Sequence, residues 1–259
     1  MKESAVTIVM PAYRAERYIG EAVASVLSQT YQAWELLVVD DASPDGSAAA
    51  AEKAAAGDPR VRILRLPENS GVAEARMTGV REAKTEWVAF LDSDDAWTAE
   101  KLERQTECAA KTGADLVFTG SGFMDEQSVR LSRVLHVPRK ISYRELLKQN
   151  LISCSSVLVK RELMLRYPMR QKGSRTPGRM HEDFASWLQM LRDGAGAYGI
   201  DAPLLIYRVS QGSVSGNKKK AAAMTWRVYR NIGLSLPECI YYFSCYAVRS
   251  LRKWRGLRS

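Results

Sequence analysis

Carboxylates gather in two short segments of the chain, each directly after an apolar run. Asp40 and Asp41 follow residues 36–39 (Leu-Leu-Val-Val), and the segment 92–95 (Asp-Ser-Asp-Asp) follows residues 87–91. Like charges within a few ångströms destabilise a fold unless a cation or hydrogen-bond donors compensate. Oxygen ligands without a nearby His or Cys favour Mg²⁺ or Mn²⁺ over zinc. The two segments therefore predict a divalent metal site, and the alternative is that these acids only cap helices.

A third acidic pair, Glu182 and Asp183, lies where a helix over residues 183–193 is predicted to begin. A carboxylate in the first turn of a helix is kept ionised by the helix dipole and by free N–H groups, as a general base requires. The same position suits a helix N-cap, which is the commoner role of Asp there. His181 fits either an acceptor contact or a surface loop.

Composition excludes several classes of protein. The chain has 259 residues, of which 46% are apolar and 26% charged, and this excludes a disordered, collagenous or coiled-coil protein. No apolar run approaches the roughly 18 residues that span a bilayer, and no secretory leader is recognisable, so we expect a cytoplasmic protein. Four scattered cysteines without a C-x-x-C pair argue against a structural zinc site.

The excess positive charge lies at the end of the chain. Over residues 218–259, ten Lys and Arg oppose the single acid Glu238, which accounts for the net charge of +9. Residues 234–258 mix aromatic and aliphatic side chains with these cations, a pattern typical of a helix on an anionic membrane surface. The alternative is a helix packed on the rest of the protein. No basic-aromatic module is recognised, so we expect no nucleic-acid partner.

Strand and helix patterns alternate through the first half of the chain. The predicted strands cover residues 6–10, 36–39, 61–64 and 87–91, and the predicted helices cover 19–27, a segment that opens at Ser43-Pro44, 72–83 and 98–112. Strands this apolar are covered on both faces. They predict an α/β fold with a mostly parallel sheet and helices on both sides.

The second half is less regular. Strands are predicted over residues 116–119, 129–135, 156–159 and 204–207, a short helix after a Ser142-x-x-Glu145 capping box, a loop over 171–180, and two basic helices divided near Pro237.

The carboxyl ends of the first four strands should form a ligand crevice, because that is where open parallel sheets bind their ligands. The residues just past those ends are Pro11-Ala12-Tyr13, Asp40-Asp41, Asn69-Ser70-Gly71 and the segment 92–95. We therefore expect five carboxylates to converge on one rim, in a position to hold the cation.

Five segments in this order resemble the successive motifs of family 2 glycosyltransferases. They are residues 6–14 (VTIVMPAYR), 25–47 (SVLSQTYQAWELLVVDDASPDGS), 69–79 (NSGVAEARMTG), 88–98 (VAFLDSDDAWT) and 182–188 (EDFASWL). The likeness covers about residues 5–210 and continues loosely to the end. It implies an inverting enzyme with the Rossmann-like GT-A fold, of the type that assembles bacterial surface polysaccharides. We expect a catalytic domain over residues 1–217, divided into a nucleotide-binding half (1–112) and an acceptor half (113–217), and then a basic helical extension (218–259).

The resemblance also implies roles for individual residues. Contacts to a nucleotide-diphosphate sugar, with a UDP-sugar favoured, are implied for Pro11, Ala12, Tyr13, Asp40, Asp41, Asn69, Arg76, Asp92, Ser93 and Asp94. Asp94 and Asp95 are implied as ligands of Mn²⁺ or Mg²⁺, and Asp183, beside Glu182, as the general base. A solvated helix arginine is the alternative for Arg76.

The family further implies a glycan or polyprenyl-linked acceptor and a peripheral position on the cytoplasmic face of the membrane. Its processive members carry a Q-x-x-R-W motif, and its absence here favours transfer of a single sugar. Arg14 departs from the family, which often has Asn there. Arg208 and the run Lys218-Lys219-Lys220 are candidates for diphosphate binding or for a solvated basic face.

Two other functions stay open. A sugar nucleotidyltransferase should carry a G-x-G-T-R loop after the first strand, where this chain has Pro11-Ala12-Tyr13-Arg14. A non-catalytic membrane adaptor would keep the fold without the activity, although the intact set of acids argues against it.

Overall fold

The computed structural model describes residues 5–169, 180–209 and 218–255, and for residues 218 and 250–255 the backbone only. The strands in this part of the chain are β1 (Val6–Ala12), β2 (Trp34–Asp40), β3 (Val61–Arg65), β4 (Trp87–Phe90), β5 (Ala96–Trp97), β6 (Leu116–Met124), β7 (Arg130–Leu135), β8 (Lys140–Ile141), β9 (Leu158–Lys160) and β10 (Ala197–Arg208). The helices are α1 (Ile19–Leu27), α2 (Ser47–Ala55), α3 (Val72–Glu82), α4 (Lys101–Thr112), α5 (Tyr143–Lys148), α6 (Arg161–Arg166), α7 (Glu182–Arg192), α8 (Lys218–Asn231) and α9 (Leu236–Arg255), with a 3₁₀ helix at Cys154–Ser156. Of the loop predicted over residues 171–180, all but residue 180 lies outside the described residues.

One sheet joins the ten strands of the described residues. Its main path runs β3-β2-β1-β4-β9-β6-β10-β5, with β7 beside β6 and β8 beside β10. The pairs β1–β2, β1–β4, β2–β3 and β6–β10 are parallel, whereas β9 lies antiparallel between β4 and β6. The prediction of an α/β fold with a mostly parallel sheet is confirmed.

A hydrophobic core lies on each face of the sheet. Along β1, Ile8 and Met10 belong to the core that contains α1, α2 and α4, whereas Val9 belongs to the core that contains α3, α5, α7 and α8. Successive residues of a strand point to opposite faces, so a strand between two helical layers must be apolar throughout. This explains the uninterrupted apolar runs of the sequence.

Helix α3 approaches β1 closely, and Gly79 makes the approach possible. A Cβ atom at residue 79 would lie 2.4 Å from Cγ1 of Val9, well inside van der Waals contact. The absence of a side chain therefore lets α3 rest directly on the sheet. Arg76, one turn earlier on this helix, is placed near the carboxyl end of the strands as a result.

Two helices begin later than the sequence suggests. Helix α2 begins at Ser47, so the prediction that Ser43-Pro44 opens it is wrong. The Asp40 carboxylate accepts a hydrogen bond from the Ser43 N–H at 3.2 Å and holds this segment in a turn. Helix α4 begins at residue 101 and not at 98, because residues 96–97 pair with β10 as strand β5.

Helix α9 has one face against the protein and another in solvent. It contacts α5 and α8, and Cys239 on the inner face is fully buried. Leu236, Ile240, Tyr241 and Val248 are at least half exposed, at 50% to 56%. The helix therefore packs on the protein and leaves an apolar face exposed to solvent. The side chains from residue 250 onward, among them Leu251 and Trp254, lie outside the described part of the chain. None of the helices in the described residues is long and apolar enough to cross a bilayer.

Candidate active site

The acidic segment 92–95 forms a tight turn directly after β4. The N–H of Asp95 donates to the carbonyl of Asp92 at 3.0 Å and closes the turn. Asp94 is exposed to solvent, Asp92 and Ser93 are half-buried, and Asp95 is buried. Three carboxylates are thus held within four residues, at the end of the sheet where the crevice was expected.

Arg76 ties this turn to the start of α7. Its Nη2 lies 2.6 Å from Oδ1 of Asp92, and its Nη1 lies 3.5 Å from Oε1 of Glu182. Burial opposes the charge of the guanidinium, but Asp92, Cys154, Glu182 and Asp183 together hold the pKa of Arg76 well above its ordinary value. The alternative of a solvated helix arginine is wrong, because the residue is only 6% exposed.

Asp183 lies in the first turn of α7, next to the Arg76 bridge. The helix begins at Glu182 with His181 as its N-cap residue, so the alternative that Asp183 is the N-cap is wrong. Asp183 is half-buried, and its Oδ1 accepts the N–H of Phe184 at 2.7 Å. Its carboxylate keeps a second oxygen for another hydrogen bond.

Asp40 and Asp41 accept hydrogen bonds from the backbone of the loops that follow β2 and β3. Oδ1 of Asp41 accepts the N–H of Ser70 at 2.7 Å, and Oδ2 accepts the N–H of Gly71 at 2.8 Å. The side-chain amide of Asn69 donates to the Asp41 carbonyl at 3.1 Å. Asp41 therefore fixes the loop that leads into α3, as Asp40 fixes the turn after β2.

The five carboxylates expected on one rim do not form a joint metal site in the described residues. Among them, no three acidic, His or Cys side chains approach closely enough to hold a metal ion together. The carboxylates of Asp40 and Asp41 accept hydrogen bonds from backbone N–H groups, and Asp92 forms an ion pair with Arg76. Asp94 and Asp95 are the members of the set whose pKa values are raised by their surroundings.

The electrostatics of Asp94 and Asp95 fit a cation. Desolvation in the cleft and the neighbouring Asp92 raise the pKa of Asp94 to about 6, although its side chain reaches solvent. Burial, Asp94 and Asp92 raise the pKa of Asp95 well above its ordinary value. Oδ2 of Asp95 is buried without a hydrogen-bond partner. These two residues could hold a divalent ion, which would supply the missing positive charge.

The end of β1 presents one large side chain to the crevice. Pro11 and Ala12 are buried within the strand, whereas Tyr13 is 45% exposed. The guanidinium of Arg14 lies 5.4 Å from the centre of the Tyr13 ring, and Arg14 has a left-handed backbone with φ of 53°. Tyr13 is therefore the residue of this segment that is free to stack on a ligand.

Arg208 is a structural clamp on the acidic turn. Its Nε donates to the carbonyl of Asp94 at 2.8 Å, and its Nη1 donates to the carbonyl of Asp125 at 3.0 Å. Its Nη2 pairs with Glu21, and the residue is 2% exposed. The diphosphate role considered for Arg208 is thus contradicted, because its donors are committed within the protein.

The sequence did not point to Ser155 as part of the site, and it suggested Arg208 as a candidate for diphosphate binding or a solvated basic face, not as a residue that holds the acidic turn. Ser155 accepts the N–H of Asp92 at 3.1 Å across 63 positions of sequence. The signal for Arg208 is its place at the end of the apolar run 203–206 that leads to the carboxyl end of β10. Ser155 carried none, because its segment resembles any strand-flanking turn.

Sequence comparison identifies the family and its members. The profile of glycosyl transferase family 2 matches residues 7–164. Escherichia coli WfgD, a UDP-Glc:alpha-D-GlcNAc-diphosphoundecaprenol beta-1,3-glucosyltransferase, is 34% identical over 256 residues, which cover 98% of this chain and 96% of WfgD. Bacillus subtilis TuaG, named for teichuronic acid biosynthesis, is 36% identical over 249 residues, 96% of either chain.

Solved structures agree on the fold. Staphylococcus aureus TarS (residues 1–349), in complex with UDP-GlcNAc, superposes with a TM-score of 0.71 at 16% identity over 94% of this chain and 71% of that one. The mannosyltransferase PcManGT of Pyrobaculum calidifontis, in complex with GDP-Man and Mn²⁺, gives 0.68 at 20% identity over 93% of this chain and 68% of that one. Profile, full-length relatives and GT-A architecture agree, and the chain belongs to glycosyltransferase family 2.

Proposed function

We propose that the protein moves one sugar from a UDP-sugar to a polyprenyl-linked glycan, with inversion at the anomeric carbon, in the assembly of a cell-surface polysaccharide. The full-length likeness to WfgD, named for transfer from UDP-Glc to a diphosphoundecaprenol-linked sugar, supports the donor and the acceptor. TarS in complex with UDP-GlcNAc supports the uridine nucleotide. Family membership removes the basis for a nucleotidyltransferase, and the activity assay below separates the enzyme from an adaptor.

The observation that carries this proposal is the ion-pair bridge from Asp92 through Arg76 to Glu182. It joins the turn that follows β4 to the first turn of α7, although the two lie 90 residues apart in sequence. The donor's diphosphate at the acidic turn and the acceptor's hydroxyl at Asp183 would then share one cleft. Glu182 acts through Arg76 and holds Asp183 in place.

Asp183 is the base in this mechanism. It accepts the proton of the acceptor hydroxyl while that oxygen attacks the anomeric carbon, and the bond from this carbon to the diphosphate oxygen breaks on the opposite face. The electron pair of the broken bond leaves with UDP, and the proton stays on the Asp183 carboxyl. Asp94 and Asp95 would hold a divalent cation, which when bound would neutralise charge on the diphosphate.

The nucleotide occupies the crevice between the ends of β1 and β2. Tyr13 offers its exposed ring to the base, with Pro11 and Ala12 beneath it. Asp40 and Asp41 shape the crevice through the loops they fix, and each carboxylate oxygen keeps a lone pair for an N–H of the base.

A panel of nucleotide sugars tests the function. The protein is incubated with Mn²⁺ and each donor, with and without lipid extract, and the release of nucleoside diphosphate is followed. We expect UDP release that depends on the extract and a product whose anomeric configuration, read by NMR coupling, is opposite to that of the donor. Retained configuration would overturn inversion, and donor binding without turnover would favour the adaptor.

The variant Asp183→Asn tests the base. We expect donor binding to persist while transfer falls at least about a hundredfold, because the amide cannot accept the proton. Glu162→Gln is the matched control, since Glu162 is an exposed acid in the first turn of another helix, α6. Transfer at the wild-type rate in Asp183→Asn would exclude Asp183 as the base.

The exposed face of α9 is proposed to rest on an anionic membrane surface, close to a lipid-linked acceptor. Its four half-exposed apolar residues lie on a helix whose other face is anchored to the protein. Ten cations in residues 218–259 favour anionic headgroups.

Vesicle sedimentation tests this surface. The double variant Ile240→Ser/Tyr241→Ser should lose at least about half of its binding to vesicles that contain phosphatidylglycerol, since each side chain contributes apolar burial. Leu165→Ser, a change of an exposed apolar residue on α6, should bind like the wild type. Equal sedimentation of the wild type and the α9 variant would contradict the proposal.

A further inference from the structure

The 3₁₀ helix Cys154–Ser156 lies directly behind the acidic turn, and Ser155 contacts the segment at both ends. At the start, the N–H of Asp92 donates to Oγ of Ser155 at 3.1 Å. At the end, Nε1 of Trp97 donates to the Ser155 carbonyl at 2.8 Å. Ser155 is 3% exposed, so solvent does not compete for these bonds. One buried residue thus holds both ends of the segment 92–97.

The hydroxyl of Ser155 also reaches the acid in the middle of this segment. A Ser hydroxyl has one proton to donate and two lone pairs that accept. Since Asp92 N–H occupies a lone pair, the proton is available for the Asp95 carboxylate, with which this hydroxyl interacts. The N–H of Arg208 donates to Oδ1 of Asp95 at 2.9 Å. Arg208 therefore orients the Asp95 carboxylate through Oδ1, the Ser155 hydroxyl opposes the rise in the pKa of Asp95, and Oδ2 is left without a hydrogen-bond partner.

We propose that Ser155 is a positioning residue: it holds Asp94 and the unpartnered oxygen of Asp95 toward the divalent cation of a metal–nucleoside diphosphate. Without its hydroxyl, the Asp92 N–H loses its acceptor and the start of the acidic turn is released, so the two carboxylates are less well preorganised. This inference rests on the proposed function, because it assumes that the turn receives a metal–diphosphate group.

The neighbouring Ser156 provides a matched control. It is fully buried like Ser155 and belongs to the same 3₁₀ helix. Its hydroxyl donates to the carbonyl of Ser153 at 2.7 Å, a bond that lies within the local turn. Replacement of Ser156 by Ala therefore removes a buried hydroxyl at the same depth without removing a hydrogen bond to the acidic turn.

The experiment measures the binding of Mn²⁺ with UDP by calorimetry, together with KM, kcat and the unfolding temperature, for the full chain. We expect Ser155→Ala to weaken Mn²⁺–UDP binding about tenfold and to raise the KM for donor similarly, with kcat reduced less than about threefold. Ser155→Thr, which retains the hydroxyl, should bind within about threefold of the wild type. Ser156→Ala should bind within about twofold, even where its unfolding temperature falls as far as that of Ser155→Ala.

Each outcome bears on one of the two proposals. If the wild type binds Mn²⁺–UDP and Ser155→Ala binds it equally well, or if Ser156→Ala is impaired as much as Ser155→Ala, the role of Ser155 is overturned. If the wild type itself gives no heat, the metal-dependent function fails and the role of Ser155 fails with it. Should Ser155→Ala not fold, Trp97→Phe decides: it removes the donor to the Ser155 carbonyl together with the indole ring that faces Nζ of Lys101. We expect about threefold weaker binding, and unchanged binding overturns the proposal.

Discussion

Aspartates lie at both ends of the central strands, and their electrostatic surroundings are opposite. At the amino end of β6, Asp115 accepts hydrogen bonds from Nζ of Lys160 and from the N–H of Gly196, both at 2.9 Å. Partial burial opposes its charge, but these two donors lower the pKa of Asp115 below its ordinary value. At the carboxyl end of β4, burial and neighbouring carboxylates raise the pKa values of Asp94 and Asp95 instead.

The comparison distinguishes Asp115, an acid that stabilises the fold, from Asp94 and Asp95, which are proposed to bind a cation. Asp115 has its compensating charge within the chain, so folding completes the interaction. For Asp94 and Asp95, burial and neighbouring carboxylates outweigh the donors and the nearby Arg76 and Arg208, so the charged form of each is disfavoured. Groups whose pKa is shifted against their own charge are concentrated at functional sites. The same residue type therefore has a structural role at one end of the sheet and a proposed catalytic one at the other.

The largest difference between the two ends of the sheet is expected when one acid at each end is neutralised. Asp95→Asn should lower transfer about a hundredfold or more, because the cation loses a charged ligand, while leaving the unfolding temperature unchanged or higher. Asp115→Asn should keep transfer within about twofold. Initial rates with Mn²⁺ and UDP-sugar, alongside thermal unfolding in EDTA, measure both. Equal loss of activity in the two variants would remove the distinction.

Arg208→Met tests how much the clamp contributes to the acidic end. The change leaves the carbonyls of Asp94 and Asp125 without their donors and Glu21 without its partner, so we expect a loss of about 3 kcal/mol in the free energy of unfolding. Urea denaturation measures it. A loss below about 1 kcal/mol would contradict the description of Arg208 as a clamp.

The Asp115–Lys160 pair should contribute less. Both side chains are 29% exposed, so the interaction is partly screened. A double-mutant cycle with Asp115→Asn and Lys160→Met should give a coupling of about 1 kcal/mol. Zero coupling would mean that the Gly196 N–H alone stabilises this carboxylate.

The smallest expected effect is a difference in pH dependence between the two ends, measured in EDTA. Asp94 has a folded pKa of about 6 against 3.8 unfolded, so the folded state holds its proton longer. The wild type should therefore lose stability relative to Asp94→Asn as the pH rises from about 4 to 6. Asp115 has a folded pKa below 3.8, so its contribution is present above about pH 4 and is lost on further acidification. Melting temperatures of the wild type, Asp94→Asn and Asp115→Asn between pH 3 and 8 measure the two pH dependences. The same pH dependence in all three proteins would contradict the expected difference.

Local patterns were enough to predict most of the fold. Helix α1 and the Ser142 capping box follow from spacing alone, because an amphipathic stripe and a cap are local features. The start of α2 was wrong because Ser43 is held by Asp40, and the start of α4 because residues 96–97 pair with a strand 110 positions away. Such tertiary hydrogen bonds leave no trace in a local window.

The site was predictable in its residue types and less so in its contacts. The sequence placed Asp92, Arg76 and Asp183 in the site, but only the folded chain joins Arg76 to both Asp92 and Glu182. Asp41 could not be assigned to the Ser70 and Gly71 amides, since that requires the geometry of the loop before α3. The roles proposed for these residues in catalysis stay predictions.

The position of strand β9 in the sheet determines where the chain can be divided into fragments. The strand comes from the second half of the chain, yet it lies in the sheet between β4 of the first half and β6. A fragment cut at residue 112 would leave β4 with a bare, apolar hydrogen-bonding edge, which invites aggregation. The two halves of the chain are therefore interleaved in one sheet. Chimaeras that swap whole halves between relatives should fail to fold, whereas exchanges of loops at the carboxyl end of the sheet should succeed.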